Sequence, residues 1–156
     1  MTFPARVATC LWFDGPAEEA ANFYVSLIPD SRITHILRPD PDGPALMVHF
    51  ELGGTPYQAL NGGPHYQLNE AASISVHTRD DAETDRLWDA LTADGGKEIQ
   101  CGWLTDRFGV SWQVVPQDLP GMLGAEDREA AGRAMNAMLA MTKIDIAAVA
   151  AAFRGE

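Results

Sequence analysis

The chain has 156 residues, of which 46% are hydrophobic and 21% charged, a composition typical of a globular protein. Eleven basic residues against 22 acidic ones give a net charge of −11 at pH 7, which argues against nucleic-acid binding because phosphate recognition needs clustered Lys and Arg. No run of about 18 apolar residues occurs, so no membrane-spanning helix is expected.

The first half of the chain predicts a strand, a helix and three further strands. Residues 6–13 alternate as a strand whose two faces are both largely covered. A helix opens at Pro16, carries one apolar stripe, and ends at Pro29. Further strands are predicted over residues 33–37, 46–52 and 57–61.

The second half repeats this plan. Alternating residues over 73–77 predict a strand, and Asp80 or Asp81 caps the helix that follows. Strands are then predicted over 98–104 and 110–115, separated by a turn at 106–109.

The repeat sets the predicted organisation of the chain. Units at 6–63 and 71–116 belong to a single domain, 1–156, and a C-terminal helical tail covers 124–155. A duplicated strand–helix–strands unit predicts two half-cups around one cavity. Function is therefore expected in the cavity rather than in a linear motif.

Cysteine usage and the N-terminus bear on the cellular compartment. Cys10 and Cys101 lie in apolar, strand-like runs, as reduced core thiols do. The N-terminus lacks the basic region and apolar stretch of a signal peptide. A cytoplasmic protein is expected.

Linear motifs of the common cofactor-binding and hydrolytic sites are absent from the sequence, including G-x-G-x-x-G, the P-loop, G-x-S-x-G, H-E-x-x-H and C-x-x-C. The histidines at 35, 49, 65 and 77 have no spacing that indicates a metal site on one element. If the cavity is catalytic, His77 is the preferred general base, because an imidazole exchanges protons near neutral pH. Glu51 and Asp106 are weaker candidates.

Six segments together carry a resemblance to a known family. They are LWFDG at 11–15, EEAANFY at 18–24, ALNGGP at 59–64, CGWL at 101–104, RFGVSWQVVP at 107–116 and MLAMTKID at 138–145. The chain resembles the vicinal-oxygen-chelate (glyoxalase/bleomycin-resistance) superfamily, and more narrowly its PhnB-like branch, labelled 3-demethylubiquinone-9 3-methyltransferase. The resemblance implies an α+β fold with paired βαβββ modules forming a glyoxalase-like half-barrel cup, plus C-terminal helices. It also implies a homodimer.

The resemblance locates the positions that hold His and Glu metal ligands in metal-using relatives. Carried over by residue, they fall on Thr9, Gln58, Ser73 and Gln113. Neutral amides and hydroxyls compensate poorly for the hydration that a divalent cation loses on binding. We therefore expect no bound metal and no cofactor.

The expected function is binding of a small organic molecule in a metal-free pocket. Phe13 and Trp103 are candidates to stack on the ligand. The complete set expected to bind it is Thr9, Phe13, Gln58, Ser73, Ser75, Trp103 and Gln113.

Two alternatives remain open from the sequence. One is an enzyme, either a metal-dependent lyase or dioxygenase or the labelled demethylubiquinone methyltransferase; a bound metal would take ligands from His49, His77 or Glu51. The methyltransferase reading lacks the glycine-rich first turn that S-adenosylmethionine sites usually carry. The other is an oligomerising module with a vestigial pocket.

Overall fold

The computed structural model describes residues 5–156, which form α-helices and two four-stranded mixed sheets. The chain divides into two compact units, one ending at Leu68 and the other spanning Asn69–Glu156. Each unit contains one βαβββ module, and the second also carries the C-terminal helices. The predicted α+β fold with paired βαβββ modules is confirmed. That both units make one domain, 1–156, stays a prediction.

The first unit contains β1 (Thr9–Phe13), α1 (Ala17–Leu27), β2 (Arg32–Leu37), β3 (Met47–Leu52) and β4 (Thr55–Asn61). Its strands lie in the order β1-β4-β3-β2, with β1 parallel to β4 and the other pairs antiparallel. Helix α1 packs on one face of this sheet, chiefly on β3 and β4. Strand alternation sends the apolar side chains to that face, and it buries Leu11, Phe13, Val48, Phe50 and Ala59.

Strand β1 lies at the edge of the first sheet, and only one of its faces is buried. Val7, just before it, is 82% exposed, and Cys10 is exposed as well. The expectations that both faces of this segment are covered and that Cys10 is a core thiol are therefore wrong. An edge strand has a sheet neighbour on one side only, so less of the protein covers it. Cys101 is partly buried in a turn, and both cysteines are free.

The start of α1 is capped by a residue far along the chain. Pro16 precedes the helix and offers no side-chain cap. The side-chain oxygen of Asn61 instead accepts hydrogen bonds from the backbone N–H groups of Gly15 and Ala17, both at 3.0 Å. Its Nδ2 donates to the carbonyl of Ala45 at 2.9 Å. The end of β4 therefore satisfies the N–H of the first helical residue, Ala17, and that of Gly15 just before the helix.

Gly62 follows Asn61 because the Trp12 indole occupies the space beside it, and Gly63 adopts a left-handed backbone conformation with φ of +88°. A Cβ on Gly62 would lie 2.3 Å from Cζ2 of that ring. The indole Nε1 donates a hydrogen bond to the carbonyl oxygen of Gly63 at 2.9 Å. The rings of Trp12 and Tyr66 form a T-shaped contact with 4.9 Å between their centroids. These contacts fix the indole in place.

The second unit repeats the topology of the first. It contains β5 (Ser73–Thr78), α2 (Asp81–Thr92), a 3₁₀ turn (Ala93–Gly95), β6 (Lys97–Glu98), β7 (Trp103–Thr105) and β8 (Ser111–Pro116). The strand order is β5-β8-β7-β6, with β5 parallel to β8. Asp80 caps α2 by accepting a hydrogen bond from the Glu83 backbone N–H at 2.8 Å.

The single strand predicted over 98–104 is wrong, because a turn divides it into β6 and β7. Cys101 and Gly102 adopt left-handed backbone conformations, with φ of +62° and +80°. The N–H of Gly102 donates to the carbonyl of Thr142 at 2.8 Å. A Cβ at this glycine would lie 2.7 Å from the Ile144 side chain, so the turn also seats the C-terminal tail.

The tail contains α3 (Leu119–Leu123), which the sequence pattern missed, followed by α4 (Arg128–Leu139) and α5 (Ile146–Arg154), which it predicted. Asp127 caps α4 and Asp145 caps α5. A small core joins the three helices to Val115 of β8, and it contains Leu119, Ala134, Ile144 and Val149. Among residues 5–156, no helix is long and apolar enough to cross a membrane.

Candidate functional site

Two glutamines occupy equivalent positions in the two sheets. Gln58 of β4 lies between Cys10 of β1 and His49 of β3. Gln113 of β8 lies between Ser75 of β5 and Trp103 of β7. Both are half-buried. Because the two modules share one topology, each glutamine is on a central strand, on the face opposite the main helix of its unit.

Five of the sequence-predicted residues share one face of the second sheet. The Nε2 of Gln113 donates a hydrogen bond to the Oγ of Ser73 at 2.9 Å. Ile74, Leu104 and Trp112 alternate to the opposite, buried face beneath α2. The shared face therefore carries Ser73, Ser75, His77, Trp103 and Gln113. Ser75 and His77 are exposed there, and Trp103 is half-buried.

Both glutamine side chains keep hydrogen-bonding capacity. Within the part of the chain that the structure describes, the amide of Gln58 bonds to no protein group. Gln113 uses one N–H on Ser73, which leaves its carbonyl oxygen and second N–H available. Partly buried polar groups normally find partners, so each of these amides, within its own unit, is suited to binding a polar group.

A cavity of about 180 Å³ opens beside Gln58 within the first unit. The strand register shifts between Ile33 and His35, and Thr34 at this irregularity contributes to the cavity wall. Polar lining comes from Arg6, Thr34, His49, Glu51 and Gln58, and apolar lining from Ala5, Ala8 and Pro56. Arg6, Ala8 and His49 were not among the residues expected to bind the ligand.

His49 is only 9% exposed, although its strand pattern gave no sign of burial on that face. Burial lowers the pKa of the His49 imidazole, and the neighbouring His35 lowers it further. The two rings are 6.0 Å apart between centroids. The lowered pKa favours the uncharged imidazole at neutral pH, so His49 adds no charge to the cavity.

We expect His49 to make folding stability depend on pH. The unfolded chain protonates this histidine near pH 6.5, whereas the folded chain does so only at lower pH. Stability is therefore lost as pH falls from about 6.5 towards the lowered folded pKa. Urea unfolding at about pH 7.5 and about pH 5 should show a smaller acid loss for His49→Gln than for the wild type. The exposed His77→Gln is the control, and equal acid losses in all three proteins would contradict the assignment.

Within the first sheet, Thr9 and Phe13 of β1 lie on one face and Gln58 of β4 lies on the other. Thr9 pairs with Tyr57, and it shares the helix-covered side of the strand with Phe13, which is 3% exposed. The residue beside the cavity is Ala8. The sequence contained this signal, because the alternation groups Thr9 with Leu11 and Phe13, whereas the family resemblance placed Thr9 in the pocket.

The side chains do not fit a divalent cation. Among residues 5–156, no three His, Cys, Asp or Glu side chains converge in a way that could hold a metal ion. Glu51 is paired with Arg32, with 3.0 Å between Oε2 and Nε. The positions at which metal-using relatives carry ligands have the amides of Gln58 and Gln113 and the hydroxyl of Ser73, and Ala8 lies beside the cavity. None of these groups balances a double positive charge.

Asp106, a weaker catalytic candidate, has its carboxylate engaged in the fold of the second unit. Its Oδ1 accepts hydrogen bonds from the backbone N–H groups of Phe108 at 2.8 Å and Val110 at 3.0 Å. Its Oδ2 accepts one from the indole N–H of Trp112 at 2.9 Å. Asp106 is 3% exposed. These contacts hold the turn between β7 and β8, so this side chain serves the fold.

Comparison with known proteins agrees with this architecture. The model of the 3-demethylubiquinone-9 3-methyltransferase family matches residues 5–115. The PhnB protein from Bacillus cereus is 31% identical, with a TM-score of 0.65 over 72% of this chain and 99% of that one. No curated protein matches.

Two more distant structures share the fold alone. Protein PA1353 from Pseudomonas aeruginosa is 23% identical, with a TM-score of 0.59 over 72% of this chain and 97% of that one. The fosfomycin resistance protein FosX from Mesorhizobium loti is 12% identical, with a TM-score of 0.55 over 80% of this chain and 100% of that one.

Proposed function

We propose that this chain, which belongs to the 3-demethylubiquinone-9 3-methyltransferase family, binds a small organic molecule without a metal. The family is the PhnB-like branch of the vicinal-oxygen-chelate superfamily. The observation that carries this proposal is the equivalence of Gln58 and Gln113. Both amides are half-buried at corresponding sheet positions and keep hydrogen-bonding capacity. Small-molecule sites combine a few such polar groups with apolar walls.

The side chains on the sheet face that carries Gln113 indicate the kind of molecule bound. An amide both donates and accepts hydrogen bonds, so it recognises carbonyl, hydroxyl or amide groups. Ser73 orients the Gln113 amide, and Ser75 adds a hydroxyl on the same face. Trp103, directly across from Gln113, offers an aromatic surface. A partly apolar or aromatic molecule with carbonyl or hydroxyl groups matches this set.

We do not extend the family's label to methyl transfer in this chain. Neither unit combines the glycine-rich first turn with the parallel sheet usual for S-adenosylmethionine enzymes. His77 lies on the same sheet face as Ser73 and Ser75, and it stays our candidate general base if the site is catalytic. We further propose a cytoplasmic homodimer, in line with the free cysteines and with the family resemblance.

The test of this function is the Gln113→Ala variant. A ligand is first found by a thermal-shift screen of a small-molecule library, and its affinity is then measured by calorimetry. We expect Gln113→Ala to weaken binding about three- to tenfold, the effect of one or two hydrogen bonds, with an unchanged circular dichroism spectrum.

The matched control is Gln67→Ala, which makes the same change at an exposed position. Equal affinity in the wild type and Gln113→Ala would remove Gln113 from the site. S-adenosylmethionine is included as a separate probe. Saturable heat on its addition would favour the labelled activity over the proposal.

A further inference from the structure

The cavity beside Gln58 has one charged group without an ionic partner. Two lining residues besides His49 can carry charge, Arg6 and Glu51. Glu51 forms an ion pair with Arg32 at 3.0 Å. None of the ion pairs among residues 5–156 involves Arg6. Within residues 5–156, Arg6 is therefore the lining charge that no ion pair neutralises, in a chain whose net charge is −11.

The other polar groups of the cavity are neutral. Thr34 contributes a hydroxyl and Gln58 an amide, and both can donate hydrogen bonds. The burial of His49 disfavours its charged form, so it adds no second positive charge at neutral pH. One guanidinium with neutral donors around it matches a single negative charge.

We infer that this cavity binds a small monocarboxylate, with Arg6 as the ion-pairing residue and Gln58 as a hydrogen-bond donor. The inference rests on the proposed function, because it names a ligand class for the cavity that Gln58 lines. A planar carboxylate suits the fork of a guanidinium, which can donate two parallel hydrogen bonds. A doubly charged anion fits less well, because the described lining offers one guanidinium, that of Arg6, and the second negative charge would have no ionic partner there.

The size and walls of the cavity limit the rest of the ligand. Its volume of about 180 Å³ equals that of about six water molecules in the liquid. Ala5, Ala8 and Pro56 provide apolar surface. A short aliphatic or single-ring acid therefore fits better than an extended or nucleotide-sized molecule.

The inference is tested with acids and their uncharged amides. Benzoate and isovalerate are compared with benzamide and isovaleramide by saturation-transfer NMR and calorimetry at neutral pH. We expect at least one acid to bind more tightly than its amide. We expect Arg6→Gln to weaken binding of that acid about tenfold, an effect moderated by the exposure of Arg6.

The control variant is Arg79→Gln, which removes an exposed arginine of the second unit and should leave the affinity unchanged. Equal binding of an acid and its amide, equal binding by the wild type and Arg6→Gln, or no binding of either acid would each overturn the inference. Screening with neutral compounds separates the two proposals. A neutral ligand whose binding needs Gln113, together with inert carboxylates, would sustain the proposed function and reject the carboxylate.

Discussion

Replacing Asp106 by asparagine is expected to lower the free energy of unfolding by about 2–3 kcal/mol. The asparagine oxygen can still accept hydrogen bonds from the N–H groups of Phe108 and Val110. Its amide nitrogen would then face the indole N–H of Trp112, so two donors would meet where a donor now meets an acceptor. Trp112 is fully buried, and water cannot replace the lost partner.

Urea denaturation followed by far-UV circular dichroism measures this loss. The matched control is Asp89→Asn on the exposed surface of α2, which should change stability by less than about 0.5 kcal/mol. A small loss in Asp106→Asn, similar to that of the control, would show that the hydrogen bond between Trp112 and Asp106 contributes little. Ligand affinity should be unaffected at temperatures where the variant remains folded, because the Asp106 side chain is buried away from the candidate site.

Replacing Gly62 by alanine is expected to destabilise the protein by about 2–3 kcal/mol, through overpacking against Trp12. The added Cβ would lie 2.3 Å from the indole ring, well inside van der Waals contact. The ring cannot simply move away, because its Nε1 is hydrogen-bonded to Gly63 and Tyr66 packs against it in a T-shaped contact. Either the indole or the backbone after β4 must shift.

Thermal and urea unfolding of Gly62→Ala should be compared with Gly132→Ala. Gly132 lies within α4, and a Cβ there would meet no other atom within 4 Å. That control should be neutral or stabilising by about 0.5–1 kcal/mol, since alanine favours helix over glycine. The double variant that combines Gly62→Ala with Trp12→Leu should lose less free energy of unfolding than the sum of the two single variants, because the smaller side chain removes the clash. Simple addition of the two single losses would contradict a direct clash.

Period-two and helical patterns were enough to predict most of the fold. Alternation placed Leu11 and Phe13 on one side of β1, and Pro16 and Pro29 bracketed α1 closely. The turn at Cys101 and Gly102 was missed because its cause is tertiary: the Gly102 N–H is bonded to Thr142 of the tail, which no local pattern indicates. The short helix α3 was also missed, since five residues show too little periodicity.

The candidate site depends on tertiary structure more than the individual strands and helices do. The polar face around Gln113 follows from alternation within β5 and β8, so Ser73 and Ser75 could be grouped with it from the sequence. The cavity beside Gln58 depends on the register irregularity at Thr34 and on the position of Arg6 before β1. The irregularity is a property of strand pairing, and the path of the chain at Arg6 is a property of tertiary structure; one sequence specifies neither.

The cap that Asn61 places on α1 has a consequence for the stability of the first unit. The capping residue lies 44 positions after Ala17, at the end of β4, which pairs with β1, so the cap is present only when this long-range contact has formed. A nascent chain that ends before Asn61 contains the whole helix sequence but leaves its first N–H groups without this partner. The helix therefore has its full stability only when the sheet is formed, so the stabilities of α1 and of the first sheet are coupled.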